Sequence, residues 1–234
     1  MAQITRVFAD YNSTTPLCPP VLDRMKDWAK LKGNLSSGHF YGQQMHGVYD
    51  QACDRIKQHL SASKYDLLTC SSATEANNWW FYSILINDTS CPRVITTPIE
   101  HPCVLSPLLQ YAKQGRIDLQ VCDVDQNGQI DLAHLESLLT NNTKCISVMM
   151  ANNEIGTIQP IDAVVRLAQS VGALVHSDMV QAVGKIPIDL DALGVDALSL
   201  SAHKCYAPTG LGVLMVKNTQ HVQPWIIGGE QQQR

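Results

Sequence analysis

The 234-residue sequence has no apolar run approaching the length of a membrane span, no block of like charge and no low-complexity tract. The first absence argues against a membrane partner. The second, with 17 basic against 21 acidic residues and a formal net charge of −4, argues against nucleic acid or an anionic surface held by basic residues. Met1 to Asp10 lacks a basic flank followed by an apolar stretch, so no secretory signal is read there. Eight cysteines stand at 18, 53, 70, 91, 103, 122, 145 and 205, with no Cys-x-x-Cys pair and no zinc-type spacing with His. Several, such as Cys70 and Cys145, fall within or beside apolar runs, where free cysteine behaves as a small hydrophobe. Reduced thiols in a cytoplasmic protein are expected, and no metal. No Gly-x-x-x-x-Gly-Lys loop is present, so a nucleotide triphosphate is not suggested.

What is present reads as one folded body. A hydrophobic fraction of 45% with 16% charged residues is ordinary for a chain with a sizeable core. Short apolar runs alternate with helical patterns almost throughout. Strands are expected at about Phe8 to Pro16, Asp66 to Cys70, Arg93 to Thr97, Leu119 to Val124, Cys145 to Met150, Ala173 to Val175, Val195 to Leu200 and Gly212 to Val216. Helices are expected from Pro19-Pro20 to Leu31, Met45 to Leu60, after Thr74, Val104 to Lys113, Leu132 to Leu139, and Pro160 or Ile161 to Gly172. Gly33 to Gly42 reads as an irregular loop. This alternation predicts a three-layer α/β/α fold around a mainly parallel sheet.

One segment mimics a calcium loop. Asp123-Val-Asp125-Gln-Asn127-Gly128-Gln-Ile-Asp131 fits the first half of an EF-hand, but His134 stands where a bidentate Glu is needed. Asn127-Gly128 is read instead as a turn into a helix.

The polar residues that remain gather at strand ends: Ala73-Thr74, Glu100-His101, Asn152-Asn153, Asp178 with Gln181, and Ser201-Ala-His203-Lys204. Open parallel sheets bind ligands at the carboxyl ends of their strands. Each piece has an ordinary explanation: a surface lysine, a helix cap, a loop histidine. Together they suit pyridoxal 5′-phosphate. Lys204 can form a Schiff base with an aldehyde. Asp178 can keep a pyridine nitrogen protonated, and His101 can stack on the ring. Asn153 and Gln181 suit the ring hydroxyl side. The helix start at Ala73 and Thr74, with Ser201 and His203, suits a phosphate.

At these residues the sequence resembles the cysteine desulfurases, within the class V aminotransferase group of fold-type I pyridoxal-phosphate enzymes. The likeness is carried by Asp10-Tyr-Asn-Ser-Thr-Thr-Pro16, Ser72-Ala-Thr-Glu75, Glu100-His101, Asn152-Asn-Glu-Ile-Gly156, His176 to Lys185 and Val195 to Gly212. It implies that Lys204 and His101 are catalytic, with Lys204 carrying the cofactor. It further implies that Ala73, Thr74, His101, Asn153, Asp178, Gln181, Ser201 and His203 surround the cofactor. The implied reaction turns L-cysteine, or a similar amino acid, into L-alanine and leaves sulfur as an enzyme persulfide. That sulfur would serve iron–sulfur or thiolation chemistry through an acceptor or scaffold protein. A homodimer is implied as well. The expected layout is an N-terminal segment, 1–15, and a large cofactor-binding domain, 16–234. Relatives continue into a small domain with the acceptor cysteine and a substrate-gripping arginine, so complete turnover by this chain alone is not expected. Cys205, beside Lys204, is read as a packing residue. A selenocysteine lyase, an aminotransferase and a silent binding module are the competing readings.

Overall fold

The computed structural model describes residues 6–228. Residues 229–234 lie outside them, as do the first five residues of the 1–15 segment.

The elements run α1 (Pro19–Trp28), α2 (Phe40–His59), β1 (Asp66–Cys70), α3 (Ala73–Leu85), β2 (Arg93–Thr96), α4 (Pro102–Lys113), β3 (Asp118–Val121) and α5 (Leu132–Leu138). They continue with β4 (Thr143–Ser147), α6 (Ile161–Gln169), β5 (Leu174–Asp178), α7 (Leu190–Leu193), β6 (Ala197–Ser201) and β7 (Gly212–Val216). The seven strands form one sheet in the order β1-β7-β6-β5-β4-β2-β3. Neighbours from β3 to β6 pair in parallel, while β7 runs antiparallel to both β6 and β1. The mainly parallel three-layer fold is therefore observed, closed at one side by an antiparallel pair.

Two hydrophobic layers explain why the strands read as unbroken apolar runs. Leu198, Leu200, Val213 and Met215 face one layer with Ile161, Val164 and Val165 of α6. Ala197, Leu214 and Val216 face the other, against Trp79, Trp80, Phe81 and Ile84 of α3 and Val104 and Leu108 of α4. Strands covered on both faces need apolar residues at every position. Helix α3 is likewise apolar on most of its circumference, being wedged between the sheet and α4.

Several expectations require correction. Phe8 to Pro16 is turn and extended chain, not a strand. Its polar groups find partners in the distant 203–206 loop, not in the sheet: Thr15 N donates to the His203 carbonyl at 2.8 Å. Helix α2 begins at Phe40, not Met45, because the His39 ring caps it by accepting from Gly42 N. The run from Cys145 to Met150 is a strand from Thr143 to Ser147 only. The strand expected to stop at Val175 continues through Asp178, because the polar residues of this stretch are satisfied inside the fold. His176 Nδ1 lies 2.9 Å from Ser147 Oγ and its Nε2 lies 3.1 Å from Ser199 Oγ. The short α7, capped by Asp189, was not foreseen.

Around Asn127-Gly128 the chain does turn. Gly128 takes φ +73°, a left-handed conformation that glycine adopts freely. Asp125 Oδ1 accepts from Asn127 N and Gln129 N, and Asp131 caps α5.

Candidate active site

Strand β6 ends at Ser201 and passes into one turn of 3-10 helix, Ala202–Lys204. Strand β5 ends at Asp178, β1 leads through Ser72 into α3, and His101 caps α4. These ends meet around a cavity of about 230 Å³. Its walls include Ala73, Thr74, His101, Asn153, Asp178, Gln181, Ser201, His203 and Lys204, so every site residue expected from sequence lines this cavity.

The carboxylate of Asp178 is only 4% exposed. Its Oδ1 accepts from Val180 N at 3.0 Å and its Oδ2 from Asn77 Nδ2 at 3.1 Å. Both donors are neutral, and no ion pair to Asp178 occurs among the described residues. Burial raises its pKa above the ordinary carboxylate value. A buried carboxylate without a cation is costly, and a cationic ring nitrogen at this place would offset that cost.

Lys204 Nζ donates to the Asn12 carbonyl. Burial, then the charge of Lys185, lowers its pKa, which favours the neutral amine needed to attack a carbonyl. Gln181 also donates to the Asn12 carbonyl, at 2.8 Å, and accepts from Lys185. Both amide atoms of Gln181 are thus engaged. The Asn153 amide donates to Glu154 at 2.8 Å.

The cavity wall also carries a set of groups suited to an anion. The Ser72 hydroxyl caps α3 by accepting from Glu75 N at 3.2 Å. The backbone amides of Ala73 and Thr74, the Thr74 and Ser201 hydroxyls, and His203 Nε2 make no hydrogen bond to the described residues. Free amides of a helix start beside free hydroxyls have the chemistry to accept an anion such as phosphate. Gly212 lets β7 approach closely behind it: a Cβ there would sit 2.2 Å from the Ser72 carbonyl carbon.

Beneath the cavity lies Glu100, 5% exposed, whose Oε1 accepts from Met149 N at 2.6 Å and Thr97 Oγ1 at 3.1 Å. Its Oε2 has no hydrogen-bond partner among the described residues, and burial raises its pKa to about 8. His176 is buried away from the cavity, with its pKa lowered by burial to about 3. Cys205 packs against the Val183 carbonyl, and burial raises its thiol pKa. No group of three or more possible metal ligands occurs among the described residues.

The family model for Aminotransferase class-V matches residues 7–234. The chain belongs to the class-V aminotransferase family. It is 38% identical to the cysteine desulfurase IscS of Dictyoglomus turgidum, over 97% of this chain and 58% of that protein. A solved NifS-like protein superposes with a TM-score of 0.93 at 35% identity, covering 97% of this chain and 63% of the other. A structure titled SspA in complex with cysteine gives a TM-score of 0.89 at 31% identity, covering 95% and 65%. The chain thus spans somewhat over half the length of such relatives. Pyridoxal 5′-phosphate is the cofactor of this class-V family, and the donor set above fits it. The cavity presents an amine, a buried carboxylate without a cation, and helix-start amides and hydroxyls free to meet an anion.

Sequence reasoning assigned no role to Cys103, Met149 and Val180 in the wall, Asn77 beneath Asp178, or the Asn12 carbonyl. Asn77 left one trace, a polar residue on the most apolar helix of the chain. Cys103 left none that separates it from an ordinary core thiol.

Proposed function

We propose that this chain is the cofactor-binding part of a pyridoxal-phosphate-dependent cysteine desulfurase, with residues 16–234 as the large domain and 1–15 as a leading segment. One observation carries the reading: Lys204, Asp178 and His101 line the same cavity as Ala73, Thr74, Ser201 and His203. The relatives' names, cysteine desulfurase above all, support the reaction class.

In this reading Lys204 and His101 are the catalytic residues. Lys204 leaves the Asn12 carbonyl and holds the cofactor covalently. Asp178 keeps the ring nitrogen protonated, and His101 lies against the ring and moves protons. Ala73, Thr74, Ser201 and His203 hold the phosphate, and Asn153 and Gln181 serve the ring hydroxyl side, Gln181 by releasing one of its present partners. The bound cofactor supplies an electron sink that weakens bonds at an amino acid's α-carbon. The substrate is L-cysteine or a similar amino acid, and its sulfur passes to an enzyme cysteine as a persulfide. The sulfur then reaches an acceptor or scaffold protein for iron–sulfur or thiolation chemistry. The protein works as a cytoplasmic homodimer. All eight cysteines are free thiols, which accords with that location. No helix among the described residues is long and apolar enough to cross a membrane.

Incubation with pyridoxal phosphate, borohydride reduction and peptide mass mapping tests the assignment. A single label on Lys204 is expected, lost in K204A. A label on any other lysine overturns it.

A further inference from the structure

His101 and Cys103 stand together at the start of α4, and the contacts of the ring are unequal. Two groups of Cys103 converge on one ring nitrogen. The Cys103 backbone N–H donates to His101 Nδ1 at 3.2 Å, and the Cys103 sulfur lies 2.9 Å from the same atom. His101 Nε2 makes no hydrogen bond to the described residues.

The Cys103 sulfur is itself placed by a third residue. Asn77 Nδ2 donates to it at 3.0 Å and to Asp178 Oδ2 at 3.1 Å. The thiol's single proton can go to His101 at 2.9 Å or to Asp178 Oδ2 at 3.7 Å, and the shorter path is to the ring. Burial, then the charge of Asp178, pushes the thiol pKa up to about 12, so the proton is present to be donated.

A nitrogen facing a backbone N–H cannot also carry a hydrogen. We propose that Cys103 is a positioning residue that pins neutral His101 as its Nε2–H tautomer, so that the ring offers the cavity a proton donor and not a lone pair. The role of His101 in the reaction rests on the function proposed above. The tautomer itself is a property of the protein without cofactor and can be tested separately. Its consequence is directional. Neutral His101 donates a hydrogen bond from Nε2 and releases that proton only as Nδ1 takes another up, and it cannot accept a proton at Nε2 until the contacts at Nδ1 are broken.

The test is long-range proton–nitrogen NMR on the 15N-histidine-labelled full chain without cofactor, at a pH where the ring is neutral, with H101Q used only to assign the signal. The expected pattern is a protonated Nε2 and a bare Nδ1. C103A keeps the backbone donor but loses the thiol. Its ratio of Nε2–H to Nδ1–H should fall about threefold, the size of one weak hydrogen bond, and C103S should restore it. A protonated Nδ1 in the unmodified chain would overturn the proposal without recourse to any variant. So would a C103A ratio equal to that of the unmodified chain. Borohydride labelling of Lys204 is independent of either result, so failure of the tautomer leaves the cofactor assignment standing, and the reverse.

Discussion

At the scale of single residues, the site rests on buried groups whose charge is set by lack of water. Glu100 and His176 illustrate opposite signs. Glu100 has its pKa raised from 4.5 to about 8, so the folded chain binds its proton more tightly than the unfolded chain. Stability from this group is full below about 4.5 and declines as pH rises towards 8. His176 has its pKa lowered from 6.5 to about 3, so its contribution is lost as pH falls from 6.5 towards 3. Between 4.5 and 6.5 the two slopes oppose each other, and between 6.5 and 8 Glu100 acts without that opposition. The variant E100Q keeps an acceptor for Met149 N and Thr97 but cannot ionise. Denaturant midpoints should therefore diverge in favour of E100Q as pH rises from about 6.5 to 8, by at most about 1.4 kcal/mol per pH unit. Parallel curves for the two proteins would mean that Glu100 is ionised in both states.

At the scale of elements, the proposed phosphate site is a junction between two of them. The start of α3 is held by Ser72, and β7 pairs with β1 and β6 immediately behind it through Gly212, which sits opposite both Cys70 and Ser201. The contact is backbone to backbone, 2.2 Å from an added Cβ, so no flexible side chain can yield. G212A should cost about 1–3 kcal/mol, the usual range for overpacking. It should also weaken pyridoxal-phosphate binding, because the amides of Ala73 and Thr74 move with Ser72. Thermal unfolding and a cofactor titration check both effects. An unchanged midpoint with full cofactor affinity would show that the junction is more compliant than its spacing implies.

For the whole molecule, the question is what ties the first described residues to a site built by the last strands. Thr15 is the main fastener. Its hydroxyl donates to the His203 carbonyl at 2.8 Å and accepts from Tyr206 N at 2.6 Å. His203 Nδ1 lies 3.1 Å from Thr14 Oγ1, and Cys18 N donates to the Tyr206 carbonyl at 2.9 Å. Tyr206 holds φ +61°, which a non-glycine residue keeps only when its surroundings enforce it. T15V preserves shape but leaves Tyr206 N without its partner, which should cost about 1–3 kcal/mol. Residues 6–18 should then be cut faster by protease, as read by mass spectrometry of early fragments. Equal cleavage rates for T15V and the unmodified chain would move the fastening elsewhere.

Much of this was legible in the residues alone. Strands packed in the core are rich in apolar residues, so β1, β2, β6 and β7 announced themselves, and polar residues beyond their ends stood out. From those ends came the layered fold and nine of the cavity's lining residues, while Cys103, Met149 and Val180 of the same wall did not stand out. Polar residues inside a strand were misread because local sequence carries no sign of a partner across the sheet. His176 depends on Ser147 and Ser199, 29 and 23 residues away. The start of α2 was missed because a histidine ring supplied its cap. The sequence by itself determined which residues are apolar, which are reactive and where turns fall, since those follow from side-chain chemistry and short-range spacing. Only the tertiary structure decided that β7 runs antiparallel, that Asn77 reaches Asp178 across 101 positions, and that Thr15 fastens to His203 across 188. Such contacts form between groups whose separation along the chain bears no relation to their distance in space, so no local pattern encodes them.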